Sequence, residues 1–77
     1  MSNEANEVYH LLVEEFKRTR ERTVTIQVPH KFHDKRSVMA NELKANGRIS
    51  DYDSFGPYSL RCILSDDGLC VVNIEYD

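Results

Sequence analysis

The side chains able to do chemistry in this chain are few and scattered. His30-x-x-His33-Asp34 places three donor-bearing residues close together, with His10 and the cysteines Cys62 and Cys70 as the other strong metal-ligand types. A metal needs three or four ligands in fixed geometry, and neither the histidine spacing nor the two cysteines match a zinc knuckle or ribbon. We therefore expect loop histidines, thiols that act as small hydrophobes and no metal or other cofactor. Asp51-Tyr52-Asp53-Ser54-Phe55-Gly56 has the opening of a calcium loop. It fails at the fifth and twelfth positions, where oxygen ligands are required and Phe55 and Cys62 stand instead. There is no Gly-rich phosphate loop, nucleophile elbow or His-Glu zinc motif. The expectation is a protein that is not an enzyme and has no catalytic residues.

Charge is the stronger signal. Residues 17–48 hold nine Lys/Arg against three Asp/Glu, while both flanks are acidic and the whole chain carries a formal −3. Lys17, Arg18, Arg20, Arg22, Lys31, Lys35 and Arg36 could together face phosphates, since clustered bases bind nucleic acid by releasing counterions. Against that, the overall charge is negative, and only Phe32 is interleaved as a stacking aromatic. A second group suits a protein partner: Tyr52 and Phe55 as aromatic anchors, Asp51 and Asp53 as a polar rim, and Ile63 and Val71 as apolar residues on an otherwise polar sheet face.

These residues must be carried by a small number of elements. The 77 residues, 40% hydrophobic and 30% charged, suit one small globular domain spanning 1–77. No apolar run approaches the roughly 20 residues that a membrane-spanning helix needs. Residues 1–7 are polar and acidic, unlike a signal peptide, so the expected setting is cytoplasmic with reduced thiols. A domain this small has little apolar surface to spare, so a partner chain, including a second copy in a homodimer, is a reasonable source of added stability.

Helical spacing of Ala5, Val8, Tyr9, Leu12, Phe16 and Thr19 predicts a helix over 3–20, with Leu11 and Val13 either widening its core face or exposed. Val24, Ile26 and Val28 alternate with Thr23, Thr25 and Gln27 and predict a half-buried strand ended by Pro29. A second helix is expected over 34–46, capped by Asp34, facing inward through Val38, Met39 and Leu43, and stopped by Asn46-Gly47. Ile49–Tyr52 suggests a short strand and 54–57 a turn. The C-terminal pattern predicts a hairpin over 58–76 with its tip at Asp66-Asp67-Gly68. Leu64 would face Cys70, Cys62 would face Val72, Leu60 would face Ile74 and Tyr58 would face Tyr76.

The expected fold class is α+β, two helices packed on one face of a small antiparallel sheet in the order α-β-α-(β)-β-β. A winged helix, with 29–47 as the helix-turn-helix, is the alternative. Two functions follow: a small regulator or adaptor that binds protein, or a nucleic-acid-binding regulator using segment 17–48.

Overall fold

Ser2 begins the first helix: its Oγ accepts the Ala5 amide at 3.1 Å, an N-cap contact that satisfies one of the orphan donors of the first turn. The structure, a computed structural model, describes residues 2–56 and 58–66, with Phe55 described in its backbone alone. Helix α1 spans Asn3–Thr19 and buries Ala5, Val8, Tyr9, Leu12 and Val13, with Leu11 and Phe16 packed partly against them. Val13 thus belongs to a wide core face. The helix stops one residue before the expected end because Arg20 turns left-handed (φ 62°) and donates its amide to the Phe16 carbonyl at 2.7 Å.

Strand β1, Thr23–Gln27, alternates exposed and buried residues as its sequence predicts. Pro29 then leads into a 3-10 helix, His30–Lys35, whose single buried side chain is Phe32. Helix α2 follows at Arg36–Ala45. This corrects the expected second helix. It begins two residues later than Asp34, and no side chain caps its N-terminus. Its buried stripe is Met39, Ala40 and Leu43, which fall within one arc of about 100° around the helix, whereas Val38 lies outside that arc and is 66% exposed. Its C-terminus is as expected: Gly47 adopts φ 74° and donates to the Lys44 carbonyl at 3.1 Å, while the Arg48 amide reaches Leu43 at 2.9 Å.

Strand β2 runs from Ile49 to Phe55 and β3 from Ser59 to Leu64. The second strand is longer than expected and runs on through Phe55, and the chain reverses after it at Gly56 (φ 65°), inside the turn expected over 54–57. All pairings are antiparallel in the order β1-β3-β2, so β3 is central. That changes the neighbours expected for the C-terminal half. Leu60, Cys62 and Leu64 have β1 on one side, with Ile26 opposite Leu60 and Val24 opposite Cys62. On the other side β2 sets Tyr52 opposite Cys62 and Ile49 opposite Leu64. The partners expected for β3 across an Asp66-Asp67-Gly68 tip, Cys70, Val72, Ile74 and Tyr76, lie outside the described residues, as does the rest of 67–77, including Val71.

The inward side chains of the three strands, Val24, Ile26, Ile49, Leu60, Cys62 and Leu64, form one core with both helices. The result is the two-helix, one-sheet α+β layering that the pattern predicts, with α1 along β1 and α2 along β2. Among the described residues, no helix is long and apolar enough to cross a membrane.

Candidate functional site

The face of the sheet turned away from the helices is where the candidate side chains collect, and an irregularity in β2 decides which ones. The pairing slips between Ile49 and Asp51, leaving Ser50 as the extra residue of a bulge. Ser50 Oγ donates to the Ile63 carbonyl at 3.3 Å. In an unbroken strand Ile49 and Asp51 would share a face, because side chains alternate with period two. The bulge lets Ile49 point into the core and sends Asp51 and Asp53 outward.

Asp51, Asp53, Arg61, Ile63 and Thr23 therefore line a shallow depression of about 420 Å³ on the outer face, with Tyr52 also contributing to its wall. Ile63 lies at its apolar centre, 39% exposed, opposite Thr23 on one side and Asp51 on the other. Two ion pairs frame it: Arg61 to Asp53 at 3.0 Å and Lys44 to Asp51 at 3.7 Å. Both are exposed, so they orient charge more than they stabilise the fold.

The structure thus brings Asp51, Asp53 and Ile63 together. Tyr52 stands in β2 rather than in a loop, half-buried at the wall of the same depression. Its ring packs partly against the core, and its hydroxyl donates to Asn41 Oδ1 on α2 at 2.9 Å. The Phe55 side chain and Val71 lie outside the described residues. Arg61 and Lys44 were missed at sequence level. The signal for Arg61 was its place in a strand where apolar residues alternate with it; Lys44 becomes relevant only through the fold.

The basic segment does not form one face. Lys31 and Lys35 meet Glu7 and Glu4 at the N-terminal end of α1, each at 3.3 Å. Arg36 donates to the carbonyls of His33, Gly56 and Ser59, tying the 3-10 helix to the β2–β3 turn. Lys17, Arg18, Arg20 and Arg22 cluster at the other end of α1, about 20 Å away by the helical rise. There Arg18 is paired with Glu15, and Arg22 with Asp66 at 2.6 Å. The Arg18 hydrogen bond holds the Glu15 carboxyl below its usual pKa, and the Ser2 amide does the same for Glu42 at 2.5 Å.

No protein-family model, curated protein or solved structure matches this chain.

The remaining chemistry-bearing residues are in structural positions. His30 and His33 meet ring to ring at 4.7 Å, and His33 lies over Tyr58 at 4.3 Å. His33 Nε2 also donates to the Val28 carbonyl at 3.1 Å. Tyr58, whose pattern suggests a place in the core or at its edge, is 49% exposed because it covers this histidine rather than the core. Among the described residues no three His, Cys, Asp or Glu side chains gather as a metal site would need. Cys62 is a free thiol with no accessible surface, and burial pushes its pKa up to about 12. A thiol so far from its anion is a poor nucleophile and a poor metal ligand.

Proposed function

We propose that this protein is a small non-enzymatic adaptor or regulator that works by binding another protein through the outer face of its sheet. One observation carries the reading: Ile63 is exposed at the centre of a depression rimmed by Asp51, Asp53, Arg61 and Thr23, with the helices on the opposite side. An apolar centre with a charged rim is the usual anatomy of a protein-binding patch, where the centre gives affinity and the rim sets orientation. A cytoplasmic setting is part of the proposal and is supported by the unpaired, buried Cys62.

The test is affinity capture from native extract with nuclease present, using the unaltered chain and Ile63→Thr. Loss of one specific protein from the variant, with melting temperature held, is the expected result. Equal recovery by both would overturn the role of this face.

Nucleic-acid binding by segment 17–48 has less support, because its bases are divided between the two ends of α1 and several face acids. A salt titration with duplex DNA separates the two readings. A steep fall of affinity with salt would favour the nucleic-acid reading, and no binding at low salt would remove it.

A further inference from the structure

The two edges of the sheet are built differently. β2 carries a bulge at Ser50 and the acids Asp51 and Asp53, features that discourage a further strand. β1, Thr-Val-Thr-Ile-Gln, has no bulge, no proline and no charge, and among the described residues nothing pairs with its outer edge.

The hydrogen-bond parity of that edge is fixed at both ends. Val28 donates to the Tyr58 carbonyl at 2.7 Å and Leu64 donates to the Arg22 carbonyl at 3.0 Å. Residues 22, 24, 26 and 28 therefore turn their backbone groups toward β3, and Thr23, Thr25 and Gln27 turn theirs outward. Beside this edge runs a groove of about 490 Å³ between β1 and α1, lined by Leu11, Glu14, Glu15, Arg18, Thr25, Ile26 and Gln27. Its floor is half-buried Leu11. Glu15 is neutralised by Arg18, whereas Glu14 is exposed and has no ion-pair partner among the described residues, so the groove carries one uncompensated negative charge.

We propose that this groove accepts an extended segment of a partner protein as a fourth strand. The segment would place an apolar side chain over Leu11 and, two residues along on the same face, a Lys or Arg beside Glu14. Backbone pairing to Thr25 and Gln27 supplies much of the affinity, and the two side-chain positions supply the selectivity, as in other cases of strand addition. The geometry disfavours the β1 strand of a second copy. That strand would arrive about 4.8 Å away carrying its own α1, and a helix of about 10 Å diameter does not fit in that spacing beside the first. An extended segment without an accompanying helix fits.

This surface is separate from the Ile63 face, so the two can be tested independently. The probe is a blocked nine-residue synthetic peptide of alternating pattern, with Val and Lys at the two groove-facing positions. Controls carry Glu in place of Lys, or N-methyl groups on the amides of the pairing edge. Titration is followed by backbone NMR and by amide exchange on the full chain. The Lys peptide should bind at least tenfold more tightly than the Glu peptide and slow exchange at Thr25 and Gln27 at least tenfold. N-methylation should abolish binding, and Glu14→Lys should reverse the charge preference. Any of three results overturns the proposal. One is equal affinity of the Lys and Glu peptides, or none. Another is binding that leaves the Thr25 and Gln27 amides unchanged. The third is slow exchange at these amides in the free chain: independence of concentration would show the edge taken within the chain, and dependence on it would show a second copy.

Discussion

Leu60 and Arg61 are neighbours in β3 and face opposite surroundings, as do Cys62 and Ile63 one step further on. On the inner face, Leu60, Cys62 and Leu64 are fully buried against β1, β2 and both helices. On the outer face, Arg61 reaches Asp53, and Ile63 stands among Thr23, Asp51 and Arg61. The strand alternation that separates the two faces is a backbone property. What differs is the work done by each side chain: the inner set holds the fold, and the outer set is the one proposed for recognition. The contrast predicts a gradient of effects when the two sets are altered one residue at a time.

The largest effect should come from Leu60→Ala or Leu43→Ala. Both side chains are fully buried in the shared core, so each truncation loses transfer free energy and leaves a cavity. The expected cost is about 2–5 kcal/mol. In a domain of this size that is a large fraction of a total stability of roughly 5 kcal/mol or a little more. Urea unfolding would measure it. A cost below about 1 kcal/mol would mean that the inner face is not the core described here.

The next effect is a pH dependence located at Cys62. Burial raises its folded pKa from the usual 9.0 to about 12, so the folded chain holds its proton more tightly than the unfolded chain does. The associated stability is fully present below pH 9. It declines as pH rises from 9 toward 12, by at most about 1.4 kcal/mol per pH unit. Lysines and tyrosines also titrate toward the top of this window, so the informative quantity is the difference from Cys62→Val. Stability of the native chain should fall relative to the variant between pH 9 and 10, and an aromatic disulfide reagent should label Cys62 only as the chain unfolds. Rapid labelling of Cys62 at pH 8 in the folded chain would contradict its burial.

Much of this inner face was legible in the sequence. Val24, Ile26, Leu60, Cys62 and Leu64 alternate strictly, and Asn46-Gly47 marks the end of α2 through an ordinary left-handed glycine. What was not legible came from tertiary pairing. Nothing local in Leu60–Leu64 says whether one or two strands flank it, so the central place of β3 was missed. The 3-10 helix at His30–Lys35 lies in a stretch whose composition also suits an α-helix, and whether Val38 or Ala40 joins Met39 and Leu43 on the buried face is decided by packing rather than by spacing. The Ser50 bulge had only an indirect signature. Ile49 and Tyr52 are both apolar and three apart, a spacing that fits one face of a strand only if a residue is inserted between them. The outer site was legible in part: Asp51, Asp53 and Ile63 could be singled out by type, but the companionship of Lys44 and Arg61 requires the folded sheet.

A smaller effect belongs to the rim. The Asp53–Arg61 pair is exposed on both partners, with side chains 62% and 48% accessible. A double-mutant cycle with Asp53→Asn and Arg61→Gln should give a coupling of about 0.2–1 kcal/mol that shrinks with added salt. A larger, salt-insensitive coupling would show that this region is covered rather than open, and would shift it from the recognition set to the structural set.

The smallest expected change in stability is at Ile63, and it sharpens the comparison most. Ile63→Thr keeps the β-branched shape favoured in strands and removes apolar surface that is already 39% exposed. The fold should lose no more than about 0.5 kcal/mol, the range typical of surface substitutions. Its neighbour one residue back, Cys62, has no accessible surface, and a polar replacement there would leave a hydroxyl among Val24, Tyr52 and the helices. Cys62→Ser and Ile63→Thr therefore make a matched pair of small polar changes on opposite faces of one strand. Thermal melts of the two variants should separate by several degrees, with Cys62→Ser the lower. Equal melting temperatures would mean that Ile63 is buried beneath something, and the outer face would then be part of the core rather than a surface for a partner.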